Sequence, residues 1–92
     1  MKKAYIYIGS NNETHRLELN RIKEVISSKF DGFSLAEITG YWKGTEEKTA
    51  KVEIIIEDSQ ELKIVSLCKE LKTELSQESI LVEFLESNIA FI

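Results

Sequence analysis

The sequence holds one cysteine, one histidine and no apolar run longer than a strand, and each scarcity closes off a class of protein. Cys68 alone cannot form an intrachain disulfide, which fits a reducing compartment. His15 lies among polar residues with no second histidine or thiol near it in sequence, so a zinc site has no support. The apolar stretch after Met1-Lys2-Lys3 covers only Ala4 to Ile8 and is ended by Gly9, too short for a signal peptide or a membrane span. A cytoplasmic protein without a membrane contact is therefore expected. Basic clusters are missing as well: 12 Lys and Arg are scattered among 16 Asp and Glu, for a net charge of -4. That balance disfavours a nucleic-acid surface and suits a cationic or neutral small ligand. The chain also lacks a Ser/His/Asp or Cys/His constellation for nucleophilic catalysis.

What is present reads as one domain over residues 1–92, close to the size at which a core just supports itself, where added subunits often supply buried area. Lys3 to Ile8 alternates as a strand, with Ala4, Ile6 and Ile8 on one face and Tyr5 and Tyr7 on the other. Two readings of the tyrosines stand side by side: packing under a helix or in a subunit contact, and an aromatic wall for a ligand. Gly9-Ser10-Asn11-Asn12 is a turn by composition. From about Leu17 to Lys29, Leu19, Ile22, Val25 and Ile26 recur at helical spacing, and Asp31-Gly32 is read as the stop.

Phe33 to Tyr41 and Ala50 to Glu57 are the next two strands, and Trp42 to Thr49 between them is read as a loop. Tyr41 and Trp42 are neighbours, so one ring must face away from the core, which points to a ligand or another subunit. Asp58 and Glu61 form a capping box for a helix running to about Ser76 that buries Ile64, Val65, Cys68, Leu71 and Leu75. Cys68 on that stripe reads as a small buried hydrophobe rather than a reactive thiol. Ile80 to Leu85 is the fourth strand, and the apolar end Ile89-Ala90-Phe91-Ile92 must pack somewhere, on its own core or on a neighbour.

The order β-α-β-β-α-β predicts an α+β, ferredoxin-like fold: a four-stranded antiparallel sheet with two helices on one face. The other face would carry Tyr5, Tyr7, Ile55, Leu81 and Leu85, too apolar for water, so sheets of different subunits are expected to pack together.

Ile38-Thr39-Gly40-Tyr41 leading into the central segment, and Lys51-Val52-Glu53-Ile54-Ile55-Ile56 returning from it, resembles the trimeric nitrogen-regulatory PII-like proteins. A closer resemblance is to small phage-encoded S-adenosylmethionine-degrading enzymes of PII-like fold. It rests on Tyr7-Ile8-Gly9-Ser10-Asn11-Asn12, on Gly40-Tyr41-Trp42-Lys43-Gly44 followed by Glu47 and Thr49, and on Gln77-Glu78-Ser79-Ile80-Leu81-Val82. The resemblance implies a homotrimer in the cytoplasm, that of the host if phage-encoded, with clefts between subunits and no cofactor. It also implies a lyase reaction in which the carboxylate of S-adenosylmethionine attacks the substrate's own γ-carbon, giving methylthioadenosine and homoserine lactone. That reaction needs neither general acid nor base, which fits a sequence without such a pair.

The site residues then follow from the resemblance. Glu47 and Glu78 are the catalytic carboxylates, offsetting the cation and binding ribose hydroxyls or the amino group. Tyr5, Tyr7, Tyr41 and Trp42 stack on adenine or hold the sulfonium by cation-π attraction, and Gly9, Ser10 and Asn11 receive the polar ends. By charge alone Glu46 and Glu47 are equivalent, and both carboxylates also read as solvated surface charge. A module from another class, a PII-like trimer that senses or sequesters a nucleotide-like metabolite without chemistry, meets the same pattern. Lys43, Lys48 and Lys51 are the only cations near the loop, thin for a phosphate site.

Overall fold

Strict alternation in the first strand sets the two sides of the molecule. In the computed structural model, which describes residues 1–92, β1 (Lys2–Ile8) buries Ala4, Ile6 and Ile8 and turns Lys3, Tyr5 and Tyr7 to the opposite face. Helix α1 (Leu19–Ser27) covers the buried face with Ile22, Val25 and Ile26, one turn apart. Strand β2 (Ser34–Trp42) returns along the sheet edge, and β3 (Thr45–Ile56) inserts between β2 and β1. Helix α2 (Glu61–Glu74) crosses back, and β4 (Leu81–Glu86) pairs with the free side of β1. The sheet order is β2-β3-β1-β4, antiparallel throughout. This is the expected ferredoxin-like arrangement, with both helices packed on one face.

The core lies between that face and the helices. Ala50, Val52, Ile54 and Ile56 of β3 are buried there, next to Ala4, Ile6 and Ile8 in register. From α2, Ile64, Leu67, Leu71 and the following Leu75 enter it. Val65 and Cys68, expected on the stripe, are only half-buried, and Leu67 takes the central place instead. The buried stripe keeps Ile64, Leu71 and Leu75 and takes in Leu67 at spacings of three and four, with Val65 and Cys68 at its margin. Arg21 joins Glu24 and Glu74, and Lys29 meets Glu70 at 3.3 Å, pairing the helices at their exposed rims. Such pairs add less than about 1 kcal/mol each.

Three local expectations are corrected. The segment Trp42 to Thr49 is not a loop: β2 and β3 are joined by a two-residue turn at Lys43-Gly44, both with positive φ (50° and 78°), and Thr45 begins β3. Positive φ at both central residues matches the twist of the flanking strands, and glycine at the second is well suited to it. Around Asp58 the capping pair is one residue earlier. The Glu57 N–H donates to Gln60 Oε1 at 2.9 Å and the Gln60 N–H to the Glu57 carbonyl at 2.9 Å, closing a single 3-10 turn before α2. Helix α1 ends at Ser27, short of Asp31-Gly32.

Helix α2 ends in a Schellman arrangement. The Gln77 N–H donates to the Lys72 carbonyl at 3.0 Å and the Ser76 N–H to Thr73 at 3.4 Å, with Ser76 at φ 49°. A left-handed serine is disfavoured by its Cβ, so Ser76→Gly is expected to stabilise the protein by about 0.5 to 1 kcal/mol. A denaturation midpoint unchanged or lowered by that substitution would contradict this account.

Half-burial of Cys68 pushes its thiol up to about 11 from 9.0 by desolvation. Iodoacetamide at about pH 8 should therefore modify Cys68 some 100-fold more slowly in the folded protein than in denaturant. The same group bears on alkaline stability. Above pH 9.0 the unfolded chain gives up the Cys68 proton that the folded chain retains to about 11, so stability falls with rising pH across that window. The Lys2 and Lys3 ammoniums act at the same edge. Hydrogen bonds to Glu61 and Glu53 raise both above 10.5, and the stability they contribute, full below that value, is lost as pH climbs through the raised one. A melting temperature that is flat to about pH 9 and then declines is expected.

Candidate functional site

A groove of about 430 Å³ opens where the end of β1, the β2–β3 hairpin and the α2–β4 connection meet. Its floor is built by cross-strand register on the face away from the helices. Gly40 lies opposite Glu47, Ile38 opposite Thr49, and Tyr7 opposite Leu81, so these side chains share one face. Gly9 and Asn12 border it on the β1 side, and Gln77, Glu78 and Ser79 close it from the α2–β4 connection. One long-range contact fixes that closure: Gln77 Nε2 donates to the Ser10 carbonyl at 2.7 Å, across 67 residues of chain.

Two absent side chains shape the interior. A Cβ on Gly9 would lie 2.7 Å from Glu47 Oε1 and 3.4 Å from Oε2, so the carboxylate rests directly over this glycine. A Cβ on Gly40 would lie 2.6 Å from Thr49 Oγ1. Any other residue at these positions would displace the polar group that faces it.

The hairpin explains both exposed rings. On the helix side of the sheet Ala50 is buried, but Lys48, Glu46, Thr39 and Tyr41 beyond it are exposed, so the hairpin projects past the cover of the helices. Tyr41 and Trp42, 72% and 66% exposed, therefore border the groove without a core behind either ring. Register also separates the two glutamates that charge left equivalent. Glu46 pairs with Tyr41 and is exposed on the helix side, whereas Glu47 pairs with Gly40 and is half-buried in the groove.

Of the residues singled out from the sequence, Tyr7, Gly9, Tyr41, Trp42, Glu47 and Glu78 line the groove together. Three do not. Asn11 is buried as the organiser of its own loop: its side-chain oxygen accepts from the Glu13 and Thr14 N–H groups, and its amide donates to Glu18 at 3.0 Å. Asn12, next to it, reaches the groove instead. Ser10 donates from Oγ to the Lys48 carbonyl at 3.2 Å and so ties the strand ends together. Tyr5 lies one step down the sheet from Tyr7, outside the groove lining.

The tyrosines are also already supplied with a cation. Lys51 Nζ sits 4.9 Å from the Tyr5 ring centroid and 5.8 Å from that of Tyr7. Lys43 Nζ lies at the same 5.8 Å over Trp42, so a ligand cation would have to displace a lysine at each of these three rings. Thr49, Ile38, Gln77 and Leu81 line the groove without having been proposed as site residues. The alternation of β2 and β3 carried through the hairpin would have placed Ile38 and Thr49 there.

The electrostatics favour a positive ligand. Glu47 and Glu78 take part in no ion pair. None of the neighbouring lysines lines the groove. Lys43 lies over Trp42 at 5.8 Å, Lys48 pairs with Glu37 at 3.6 Å, and Lys51 covers the tyrosines. Two unpaired carboxylates beside an apolar wall attract a cation and repel a phosphate.

Neither a protein-family model nor a curated protein sequence matches the chain. Solved structures do. A DUF3240-family protein from Shewanella baltica OS155 superposes with TM-score 0.70 at 15% identity, covering 99% of this chain and 94% of that one. A de novo designed protein, Foldit4, gives 0.54 at 15% identity over 95% and 96%. A phage SAM (S-adenosylmethionine) lyase in its apo state gives 0.76 at 21% identity, covering 90% of this chain and 78% of that one. No helix in the chain is long and apolar enough to cross a membrane. The chain thus shares its fold, across nearly its whole length, with a phage SAM lyase and with a DUF3240-family protein.

Proposed function

We propose that the chain degrades S-adenosylmethionine by intramolecular lactonisation in the groove between β1, the hairpin and the α2–β4 connection. The observation that carries this reading is the pairing of two uncompensated carboxylates, Glu47 and Glu78, with aromatic and apolar walls in a groove that contains no nucleophile-base pair. The fold shared with a phage SAM lyase supports it.

In the reaction one oxygen of the substrate carboxylate bonds to the γ-carbon as the bond from that carbon to sulfur breaks, and the sulfur keeps the electron pair. Homoserine lactone and neutral methylthioadenosine result, with no proton gained or lost. A carboxylate and a sulfonium annihilate their charges on the way, so the transition state is less polar than the bound substrate. Apolar walls such as Ile38, Leu81 and Trp42 therefore favour the reaction once bound substrate covers them and displaces their water. The protein's other task is to fold a flexible chain into the attack geometry, which accounts for large rate gains without acid-base chemistry. Glu47 and Glu78 hold the cationic substrate, and Trp42 and Tyr41 offer ring faces to adenine or sulfonium.

The remaining sheet face carries Leu81, Leu85 and Ile55 partly exposed. In this reading it packs against other copies in a homotrimer, placing the groove at a subunit boundary; light scattering at micromolar concentration checks it, and a monomeric mass would remove the boundary. Incubation with S-adenosylmethionine, followed by chromatography and mass detection, tests the reaction itself. Methylthioadenosine with homoserine lactone is the expected result, and homoserine formed without lactone would make the chain a hydrolase. Thermal stabilisation by the intact ligand without turnover would instead mark a PII-like sensor.

A further inference from the structure

The groove floor holds a hydroxyl that the protein itself does not use. Thr49 is only 8% exposed, and it sits two residues from Glu47 on the same face of β3. Its Oγ1 takes part in none of the side-chain hydrogen bonds of the chain. Yet no fully enclosed side-chain polar atom is left without a partner. The oxygen therefore keeps an opening, and the space it borders is the groove. A hydroxyl with no partner in the protein and an opening only to the groove is free to bond to whatever the groove holds.

Its place is made by a missing side chain. Gly40 leaves room for Thr49 Oγ1 where a Cβ would come to 2.6 Å, as Gly9 leaves room for Glu47 Oε1 where a Cβ would come to 2.7 Å. Adjacent polar groups on the central hairpin strand are thus each seated over a glycine, Thr49 toward β2 and Glu47 toward β1. One supplies a neutral donor and the other a carboxylate.

From this placement we infer that Thr49 contacts the substrate, with Gly40 as its positioning residue, and that Thr49 and Glu47 together read the amino-acid end of the ligand. Glu47 accepts from the α-ammonium, and the Thr49 hydroxyl donates to one carboxylate oxygen, leaving the other free to attack the γ-carbon. The assignment rests on the lactonisation reading above.

The test compares Thr49→Val and Thr49→Ser with the wild-type chain on S-adenosylmethionine, and adds binding of methylthioadenosine, which has no amino-acid end. Losing one hydrogen bond to a charged group should lower kcat/KM by about 10- to 100-fold in Thr49→Val, while Thr49→Ser stays within about threefold. Methylthioadenosine should bind wild type and Thr49→Val alike, which a general loosening of the fold would not produce. Gly40→Ala should reproduce the loss in the wild-type background and add nothing to Thr49→Ala, where no hydroxyl remains to be displaced. Full activity in Thr49→Val, or equal weakening of both ligands, would overturn the assignment while leaving the lactonisation reading intact. A wild-type chain that neither binds nor converts S-adenosylmethionine would remove that reading and this inference with it.

Discussion

Glu47→Gln is expected to raise KM for S-adenosylmethionine by about 10- to 100-fold and to change kcat little. Two unit charges about 4 Å apart attract by about 4 kcal/mol at an effective dielectric constant near 20, and the half-open setting of Glu47 reduces that to about 1.4 to 3 kcal/mol. The direction of the kinetic split follows from where charge moves. The sulfonium loses its charge in the transition state, and the α-ammonium keeps its own. A carboxylate held near either therefore favours bound substrate at least as much as transition state, and its loss shows in KM. An anionic ligand such as ATP should respond in the opposite sense and bind the Gln variant as well as or better than wild type. Gly9→Ala should shift S-adenosylmethionine kinetics in the same direction by crowding the Glu47 carboxylate, at little cost to folding because only the end of a flexible side chain must move. A fall in kcat at constant KM would assign Glu47 to the chemical step and contradict the proposed role.

Leu67→Ala is expected to cost about 2 to 5 kcal/mol of folding stability. Leu67 is fully buried at the centre of the α2 stripe, and sheet and helix partners surround it. A domain of this size has about 5 to 14 kcal/mol in total, so the variant should melt far below wild type and be partly unfolded at growth temperature. Leu67→Met, which nearly conserves volume, should cost less than about 1.5 kcal/mol. Urea denaturation distinguishes the outcomes. Ala at position 67 tolerated as well as Ala at the exposed Leu62 would mean that α2 presents a different face to the sheet.

The order of strands and helices was legible because each segment carries its own period: two in β1 and β3, three to four in both helices. What misled was local charge. Glu46-Glu47-Lys48 reads as a loop, because strands are expected to alternate against a core. In this hairpin no helix lies behind the distal half, so both faces accept polar residues while the ladder continues unbroken from Thr45 to Ile56. The same gap hid part of the groove: without the hairpin register, Thr49 and Ile38 could not be placed beside Glu47 and Trp42. Leu67 was overlooked because Val65 and Cys68 complete an equally regular helical spacing with Ile64, and the choice between the two stripes is made by the sheet, not by the helix. Asn11 and Asn12 are alike in composition. Only the turn geometry, in which Asn11 accepts two backbone N–H groups, decides which one faces inward.

Strand β1 lies near the start of the sequence yet occupies an interior place in the sheet, between β3 and β4. During translation it leaves the ribosome with neither partner made, and its buried residues Ile6 and Ile8 wait for Val52 and Ala50 of β3, and Ile6 also for Val82 of β4. Pairings across such sequence distances close slowly, on the order of milliseconds to seconds. A nascent chain arrested before Leu81 would present one whole edge of β1 to any extended peptide nearby, and β4 moves that open edge from the long, core-forming β1 to a six-residue strand.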